Sequence, residues 1–275
     1  MAQYRLFDNI IEKDVASSFV SSAIELLSLL KIEAPILSNS KKDIATEGKS
    51  LNEESFLYNN AYNLALAKKE NADIICVEDS SYSSLNIAKL ILLENDEVKV
   101  SISEKLQKNG LELDLDVNVL HINEILKDVV GLEKLKTMIK KPFSKFSTAI
   151  FNGNKTHNLS TNDNILSILE INIVDFETQN DSDGYEVLSA SPTIAKRLAG
   201  KVMLDMFDNA ADFVVTNDAR SFYMFDNLQK SLETTVGRDI ELSVFSTPQI
   251  ILLALGCDDI TKMGLDTHKV VTNLI

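Results

Sequence analysis

Hydrophobic positions along the chain form helical stripes that alternate with short apolar runs. One stripe begins after Asp14 and consists of Val15, Phe19, Ala23, Leu26 and Leu30, which fall on one face of a helix. It follows a strand candidate at Tyr4 to Phe7. A second helical stripe starts at about Asn52 and precedes the apolar run "ADIICV", which is typical of a buried strand. Helix following strand predicts an α/β fold.

The rest of the first half continues this alternation. The pattern predicts helices over Ser84 to Leu93 and Val98 to Lys108, and then a strand "DVNVLH" that leads into a helix "INEILKDV". The polar stretch "SNSKKDIATEGKS" is predicted to interrupt the elements. A further helix, "GLEKLKTMIKKP", is predicted to stop at Pro142.

The second half repeats the plan. Its strand candidates are "STAIFN", the end of "ILEINIVDF", "ADFVVT" and "ELSVF". Ser191 and Pro192 predict a helix start, and the four-residue spacing behind them predicts a buried face of Ile194, Leu198, Val202 and Met206. Thr247 and Pro248 are predicted to open the apolar helix "QIILLAL".

The two halves also resemble each other in sequence. "ENADIICVEDSSYSSL" matches "NAADFVVTNDARSFYMF", and "VNVLHINEIL" matches "LSVFSTPQIILL". We therefore predict two tandem, duplicated Rossmann-like α/β units with mostly parallel sheets, residues 1–142 and 143–275. No linker rich in Gly, Pro or Ser separates them, so they are predicted to pack together.

Charge and hydropathy limit the partners. With 27 Lys and Arg against 41 Asp and Glu, the net charge is −14, which disfavours nucleic acid and anionic membranes. No apolar run is long enough to span a bilayer, and "MAQYRLFDNIIEKD" carries charge where a signal peptide is apolar. A cytoplasmic location without membrane insertion is expected.

Few residues are suited to soft metals or nucleophilic catalysis. Cys76 and Cys257 sit in apolar stretches, far apart, and are interpreted as small buried hydrophobes. His121, His157 and His268 occur singly, so no metal cluster is predicted. His121 is interpreted as a helix-entry residue, and "NGNKTHNLSTND" as a polar loop. Carboxylates that follow strands are expected near the usual ligand side of α/β sheets: Glu78, Asp79, Asp181, Asp183 and Asp218.

Several stretches carry a resemblance to a known family. They are "NNAYNLALAKKENADIICVEDSSYSSLNIAKLIL", "VLHINEILKDVVGLEKLKTMIKKPF", "SDG", "AKRLAGKVMLDMFDNAADFVVTNDARSFYMFD" and "LALGCDDITKMGLDTHKVV". In order and spacing the chain resembles the B subunit of heterodisulfide reductase and its cysteine-rich CCG-domain relatives, nearly end to end. That resemblance implies iron–sulfur clusters ligated by cysteines that follow the buried strands.

The cluster cysteines implied by the resemblance fall on other residues here. The positions are Asn9, Asn39 and Ser40 (placed loosely), Glu78 and Ser81 in the first half, and Asn154, Ser182, Asp183, Asp218 and Ser221 in the second. Oxygen ligands do not replace thiolates around iron and sulfide. We therefore expect a degenerate member without a cluster, whose old cluster pockets are filled by side chains and water or, less favoured, hold a weakly bound hard cation but no soft metal. No cofactor, metal site or catalytic residue is assigned.

Two classes of function remain open. The first is a non-catalytic subunit or scaffold that binds a redox-enzyme partner or its own copy; the second is a cluster-free enzyme, or a binder of a small molecule or cation, that uses the cleft between the halves. "SFYMFDNL" places Phe222, Tyr223, Met224 and Phe225 together. This run is interpreted as core or, with Phe222, Tyr223 and Phe225, as a candidate partner patch.

Overall fold

Two parallel sheets organise the protein, whose computed structural model describes residues 3–152 and 165–271. The first sheet has the order β1-β2-β3 and the second the order β5-β4-β6-β7. The strands are β1 Tyr4–Phe7, β2 Asp73–Cys76, β3 Val119–His121, β4 Ser147–Ile150, β5 Asn172–Val174, β6 Phe213–Val215 and β7 Ser243–Phe245. The predicted α/β fold with parallel sheets is confirmed.

Helices connect the strands on both sides of the chain midpoint. In the first half they are α1 Lys13–Leu29, α2 Ala45–Leu51, α3 Glu53–Lys69, α4 Asp79–Glu94, α5 Asp96–Gln107, α6 Ile122–Glu124 and α7 Leu132–Met138. In the second half they are α8 Pro192–Asp208, α9 Ala219–Phe222, α10 Gln229–Val236 and α11 Thr247–Ala254. Two π-helical segments, Ile125–Gly131 and Tyr223–Asn227, separate α6 from α7 and α9 from α10.

Three strands of each sheet follow the same order. β2 lies between β1 and β3, as β6 lies between β4 and β7. Outside β4 the sheet continues with β5, and β1 carries an isolated parallel bridge between Leu6 and Ile36. An internal duplication predicts this correspondence, and the duplication itself stays a prediction.

Two of the three hydrophobic core clusters among the described residues contain side chains of both halves. α1 packs against α11, and the rings of Phe19 and Phe222 meet edge to face with centroids 5.3 Å apart. His268 crosses from the second half to α1, where its Nε2 lies 3.0 Å from Ser18 Oγ. The predicted division at 142 and 143 therefore separates two sheets but cuts through core clusters that contain residues of both halves, and as a domain boundary it stays a prediction.

Three details of the helices differ from the sequence pattern. α2 lies inside the stretch predicted to be an interruption, and "INEILKDV" is largely π-helical. α7 ends at Met138, before Pro142, because the amides of Lys140 and Lys141 turn to the carbonyl of Ala254 at 2.8 and 2.9 Å.

The buried face of α8 is confirmed at Val202 and Met206 but not at Ile194 or Leu198. Ile194 is 53% exposed, whereas Ala195 and Ala199 are buried beside Val202 and Met206. Small residues face inward because α8 packs closely on α10: a Cβ at Gly200 would lie 2.4 Å from a methyl of Val236. Regular spacing alone could not show this preference for small side chains.

Within residues 3–152 and 165–271, no helix combines the length and apolar character that a bilayer crossing requires.

Candidate functional site

The carboxyl ends of β2 and β6 meet where the two sheets come together. The amide of Asp79, just after β2, donates to the carbonyl of Asn217, just after β6, at 2.9 Å. An amide in the first turn of a helix has no partner within its own helix, so the second half supplies an acceptor that α4 needs. This bond places the two strand-end loops side by side.

An acidic residue caps the helix that follows each strand. Glu78 accepts from the amides of Ser80 and Ser81 at 2.9 and 2.6 Å, and Asp218 accepts from those of Arg220 and Ser221 at 2.9 and 3.0 Å. Carboxylates are favoured here by the free amides and the helix dipole. We call the group around these caps the junction cluster: Asp43, Glu47, Glu78, Asp79, Ser81, Asp183, Asp218, Arg220 and Ser221.

Arg220 is the cation of the junction cluster and joins the two halves. Its Nη2 and Nε contact the carboxylate of Asp218 at 2.7 and 3.2 Å, and its Nη1 donates to Glu47 of α2 at 2.6 Å. Its side chain is 9% exposed. A buried guanidinium that lost these partners would be strongly unfavourable, so Asp218 and Glu47 fix its position.

Serine hydroxyls donate hydrogen bonds to three carboxyls of the junction cluster. Ser221 Oγ donates to Asp183 at 2.5 Å, Ser81 Oγ donates to Glu78, and Ser80 Oγ donates to Asp43 at 3.2 Å. Ser81 and Ser221 are fully buried. The hydroxyls of Ser80, Ser81 and Ser221 are therefore hydrogen-bonded to other side chains of the protein.

Crowding and burial raise the pKa of several of these carboxyls. Desolvation, followed by the charges of Asp43 and Asp218, raises the pKa of Glu78 to about 7. Desolvation and then Asp218 raise the pKa of Asp183 to about 6. Burial also raises the pKa of Asp218, but Arg220 and the two cap amides outweigh it and hold that pKa below its usual value. The cluster therefore contains one stabilised carboxylate beside groups that favour a proton.

His121 lies at the neighbouring strand end and is neutral. Its Nδ1 accepts from the amide of Asn123 at 3.2 Å, so Nε2 carries the proton, 3.4 Å from Asp79 Oδ1. Burial lowers the pKa of His121 to about 3. It caps α6 together with Glu124, which confirms its interpretation as a helix-entry residue.

The structure brings most of the sequence-derived positions to this junction. Asn9 follows β1 and holds the adjoining loop: its side chain donates to the carbonyl of Ser40 at 2.9 Å, and its carbonyl accepts from the amide of Asp43 at 2.9 Å. Ser182 stabilises the turn before Gly184 by accepting its amide at 2.9 Å. Asp181 lies apart, in an exposed ion pair with Lys201, and Asn154 and His157 lie outside the described residues.

The candidate partner patch needs a correction. Phe222 and Phe225 are 1% and 0% exposed, and Met224 is 0% exposed, because they fill the core shared by the halves. Among Phe222, Tyr223, Met224 and Phe225, Tyr223 alone is partly exposed, and its ring meets that of Tyr185 edge to face with centroids 6.5 Å apart. Phe222 and Phe225 are therefore core residues in this fold and cannot form a docking surface.

Sequence reasoning did not find three members of the junction cluster. Asp43 lies just before α2 and Glu47 within it, and the sequence pattern does not predict this helix. Arg220 is not among the predicted site residues. A usable signal existed for Arg220, since it stands two residues after an acidic cap on a helix that follows a buried strand. Its bridge to Glu47 depends on tertiary contacts between distant segments.

The donors at the junction do not fit an iron–sulfur cluster. They are carboxylate and hydroxyl oxygens, whereas such clusters require thiolates. Cys76 is fully buried in the core of the first half, and burial raises the pKa of its thiol. Across residues 3–152 and 165–271, no three His, Cys, Asp or Glu side chains have an arrangement suited to a metal ion.

Together the fold and this site define a paired parallel α/β protein with oxygen-bearing side chains at its strand ends. Residues 185–269 match the family model described as the HdrB-like C-terminal domain. The resemblance seen in the sequence is confirmed: over this segment the chain is similar to the B subunit of heterodisulfide reductase.

Curated relatives and a solved structure extend this match. A protein of Archaeoglobus profundus, named as similar to the B subunit of heterodisulfide reductase, is 33% identical over 33% of this chain and 30% of its own length. An 8-methylmenaquinol:fumarate reductase membrane anchor subunit of Wolinella succinogenes is 24% identical over 91% of this chain and 93% of its own length. The crystal structure of a hypothetical protein from Helicobacter pylori is 26% identical with a TM-score of 0.88, covering 99% of this chain and 53% of that chain.

Proposed function

We propose that this protein is a cluster-free subunit or scaffold related to the B subunit of heterodisulfide reductase. It holds a redox-enzyme partner, or a second copy of itself, without carrying electrons. It contributes the shape of the paired sheets and no catalytic group, and it acts in the cytoplasm.

One observation carries this proposal: Arg220, Ser81 and Ser221 of the junction cluster bond carboxyls of the same cluster, although one oxygen each of Asp79 and Glu47 makes no hydrogen bond to the described residues. Ser221 bonds Asp183, Ser81 bonds Glu78, and Arg220 bonds both Asp218 and Glu47. Side chains that hold a cofactor or substrate point their polar atoms at it, whereas these point at one another. Such a closed network is suited to fixing two halves in one arrangement.

The relatives' names support a role in an assembly. A protein of Methanosarcina acetivorans that is 24% identical over 81% of this chain is named as the B subunit of a CoB-CoM heterodisulfide reductase that depends on ferredoxin or F420H2. The Wolinella relative is likewise named as a subunit. A chain of the same fold without thiolates would keep the contacts of a subunit and lose its electron transfer.

Affinity capture from native lysate, with reconstitution from purified components, tests the proposal. We expect a stoichiometric complex with a redox-enzyme subunit, or a self-complex seen by light scattering, that forms equally well with and without iron and sulfide. A complex that forms only after iron and sulfide are added contradicts the cluster-free role. Failure of both hetero- and self-association contradicts the scaffold role.

A specific observation favours a second candidate, a small-molecule binder at the same junction. Asp79 Oδ2 and Glu47 Oε2 are buried and make no hydrogen bond to the described residues. A ligand with N–H donors would satisfy them. Thermal shift screening with polyamines and guanidinium compounds, comparing wild type with Asp79→Asn, distinguishes the candidates: a shift lost in the variant supports the binder.

A further inference from the structure

The contact between the two halves passes through a carboxyl group that is fully enclosed. Glu78 is 0% exposed, and it stands directly before Asp79, whose amide bonds the second half through Asn217. The buried carboxyl of Glu78 and the Asp79 amide that bonds the second half therefore lie on adjacent residues. A change in the charge of Glu78 acts where the halves meet.

Acidic groups from several elements face Glu78. Asp43 approaches from the segment before α2, Asp79 from the start of α4, and Asp218 from the end of β6. Arg220 on α9 is the cation that contacts this group, and it is already shared by Asp218 and Glu47. Asp183, Cys76, His121 and Glu124 complete the titratable surroundings.

The junction cluster contains more acidic side chains than basic ones. One guanidinium serves the whole cluster, and it is committed by direct contacts to Asp218 and Glu47 rather than to Glu78. An ionised Glu78 accepts hydrogen bonds from Ser80 and Ser81, but it stands in a desolvated site beside Asp43 and Asp218, which repel it and outweigh those bonds. If the junction parted, water would solvate the same charge.

We propose that the junction is a proton-operated latch, closed when Glu78 is protonated and loosened when Glu78 ionises. Opening separates the strand-end loops after β2 and β6 while each sheet keeps its own hydrogen bonds. This inference concerns the coupling of the halves and does not depend on the proposed scaffold role.

The sign and size of the effect follow from linkage. The pKa of Glu78 is about 7 in the closed junction and 4.5 at its ordinary value, which the opened junction restores. A raised pKa stabilises the closed form at low pH, and this stabilisation is lost as the pH rises through about 7. The equilibrium ratio of open to closed junction should therefore increase roughly 30-fold between about pH 5.5 and about pH 8, given that pKa difference.

Amide hydrogen exchange on the full chain measures opening at single residues. The amide of Asp79 reports the junction, because its acceptor is Asn217. The amide of Ile74, which donates to the carbonyl of Asn118 at 2.9 Å within the first half, reports the sheet. Protection factors are corrected for the intrinsic pH dependence of exchange. We expect protection of Asp79 to fall roughly 30-fold from about pH 5.5 to about pH 8, while that of Ile74 changes little.

Two variants of matched chemistry complete the test. Glu78→Gln should flatten the pH dependence at Asp79, whereas Glu104→Gln, on the exposed face of α5, should leave it as in wild type. Equal loss of protection at Asp79 and Ile74 would mean global unfolding and would overturn the latch. The latch would also be overturned if the protection factor of the Asp79 amide in wild type did not change with pH. This measurement is informative even if Glu78→Gln does not fold.

Discussion

Replacing Arg220 by Met tests whether the buried ion network stabilises the fold. The substitution keeps an apolar stem of similar length and removes the cation. Asp218, whose side chain is 4% exposed, then lacks a counter-ion beside the carboxyls of Glu78 and Asp43. Breaking a buried pair by removing one partner costs about 3–5 kcal/mol. We expect the free energy of unfolding, measured at about pH 7.5, to fall by that amount.

The chain offers a matched control for this change. Arg238 contacts both carboxylate oxygens of Asp208 at 2.8 and 2.9 Å, but this bidentate pair is about half exposed. Exposed pairs contribute about 0–1 kcal/mol, so Arg238→Met should cost little. Urea denaturation followed by circular dichroism measures both variants. Equal costs for the two substitutions would refute the view that burial of the Arg220 network matters.

The remaining predictions concern the cofactor and a turn. Protein prepared anaerobically with iron and sulfide should be colourless and iron-free, because the strand ends carry oxygen donors; stoichiometric iron with visible charge-transfer absorption would contradict this. Gly184→Ala should destabilise by more than about 2 kcal/mol, since Gly184 has a φ of +80° and a Cβ there would lie 2.5 Å from the carbonyl oxygen of Ala195. Gly237→Ala, with a φ of +75° and open space, should cost about 1 kcal/mol when both variants are measured by the same urea denaturation, and similar losses would refute the steric argument.

The fold was largely predictable because buried parallel strands leave strong sequence signals. Runs such as "ADIICV" and "ADFVVT" are mostly apolar, as expected of strands covered on both faces. α2 left no such signal, since Ala45 is its one buried residue and contacts with α3 and α4 hold it in place. Short polar helices of this kind are defined by their neighbours.

The candidate site was predictable only in part. Carboxyl ends of parallel strands share an edge, so the approach of Asp183 to Asp218 followed from topology. The Arg220 contact to Glu47 joins residues 173 positions apart, which local patterns do not reveal. The aromatic run was harder still: the π-helical turn at Tyr223–Asn227 alters side-chain directions, and three of four neighbouring side chains, Phe222, Met224 and Phe225, turn inward.

The charges of the junction cluster depend on one another, and this dependence is measurable. Arg220 stabilises Asp218, and that charge in turn raises the pKa of Glu78. Removing Arg220 should therefore cost more when Glu78 can ionise than when it cannot. A double-mutant cycle of Arg220→Met and Glu78→Gln should show a coupling of about 1–2 kcal/mol at about pH 8, within the range for residues of one network. At about pH 5.5 the coupling should shrink, because Glu78 is then protonated in wild type. Additive costs at both pH values would mean that the two side chains act independently.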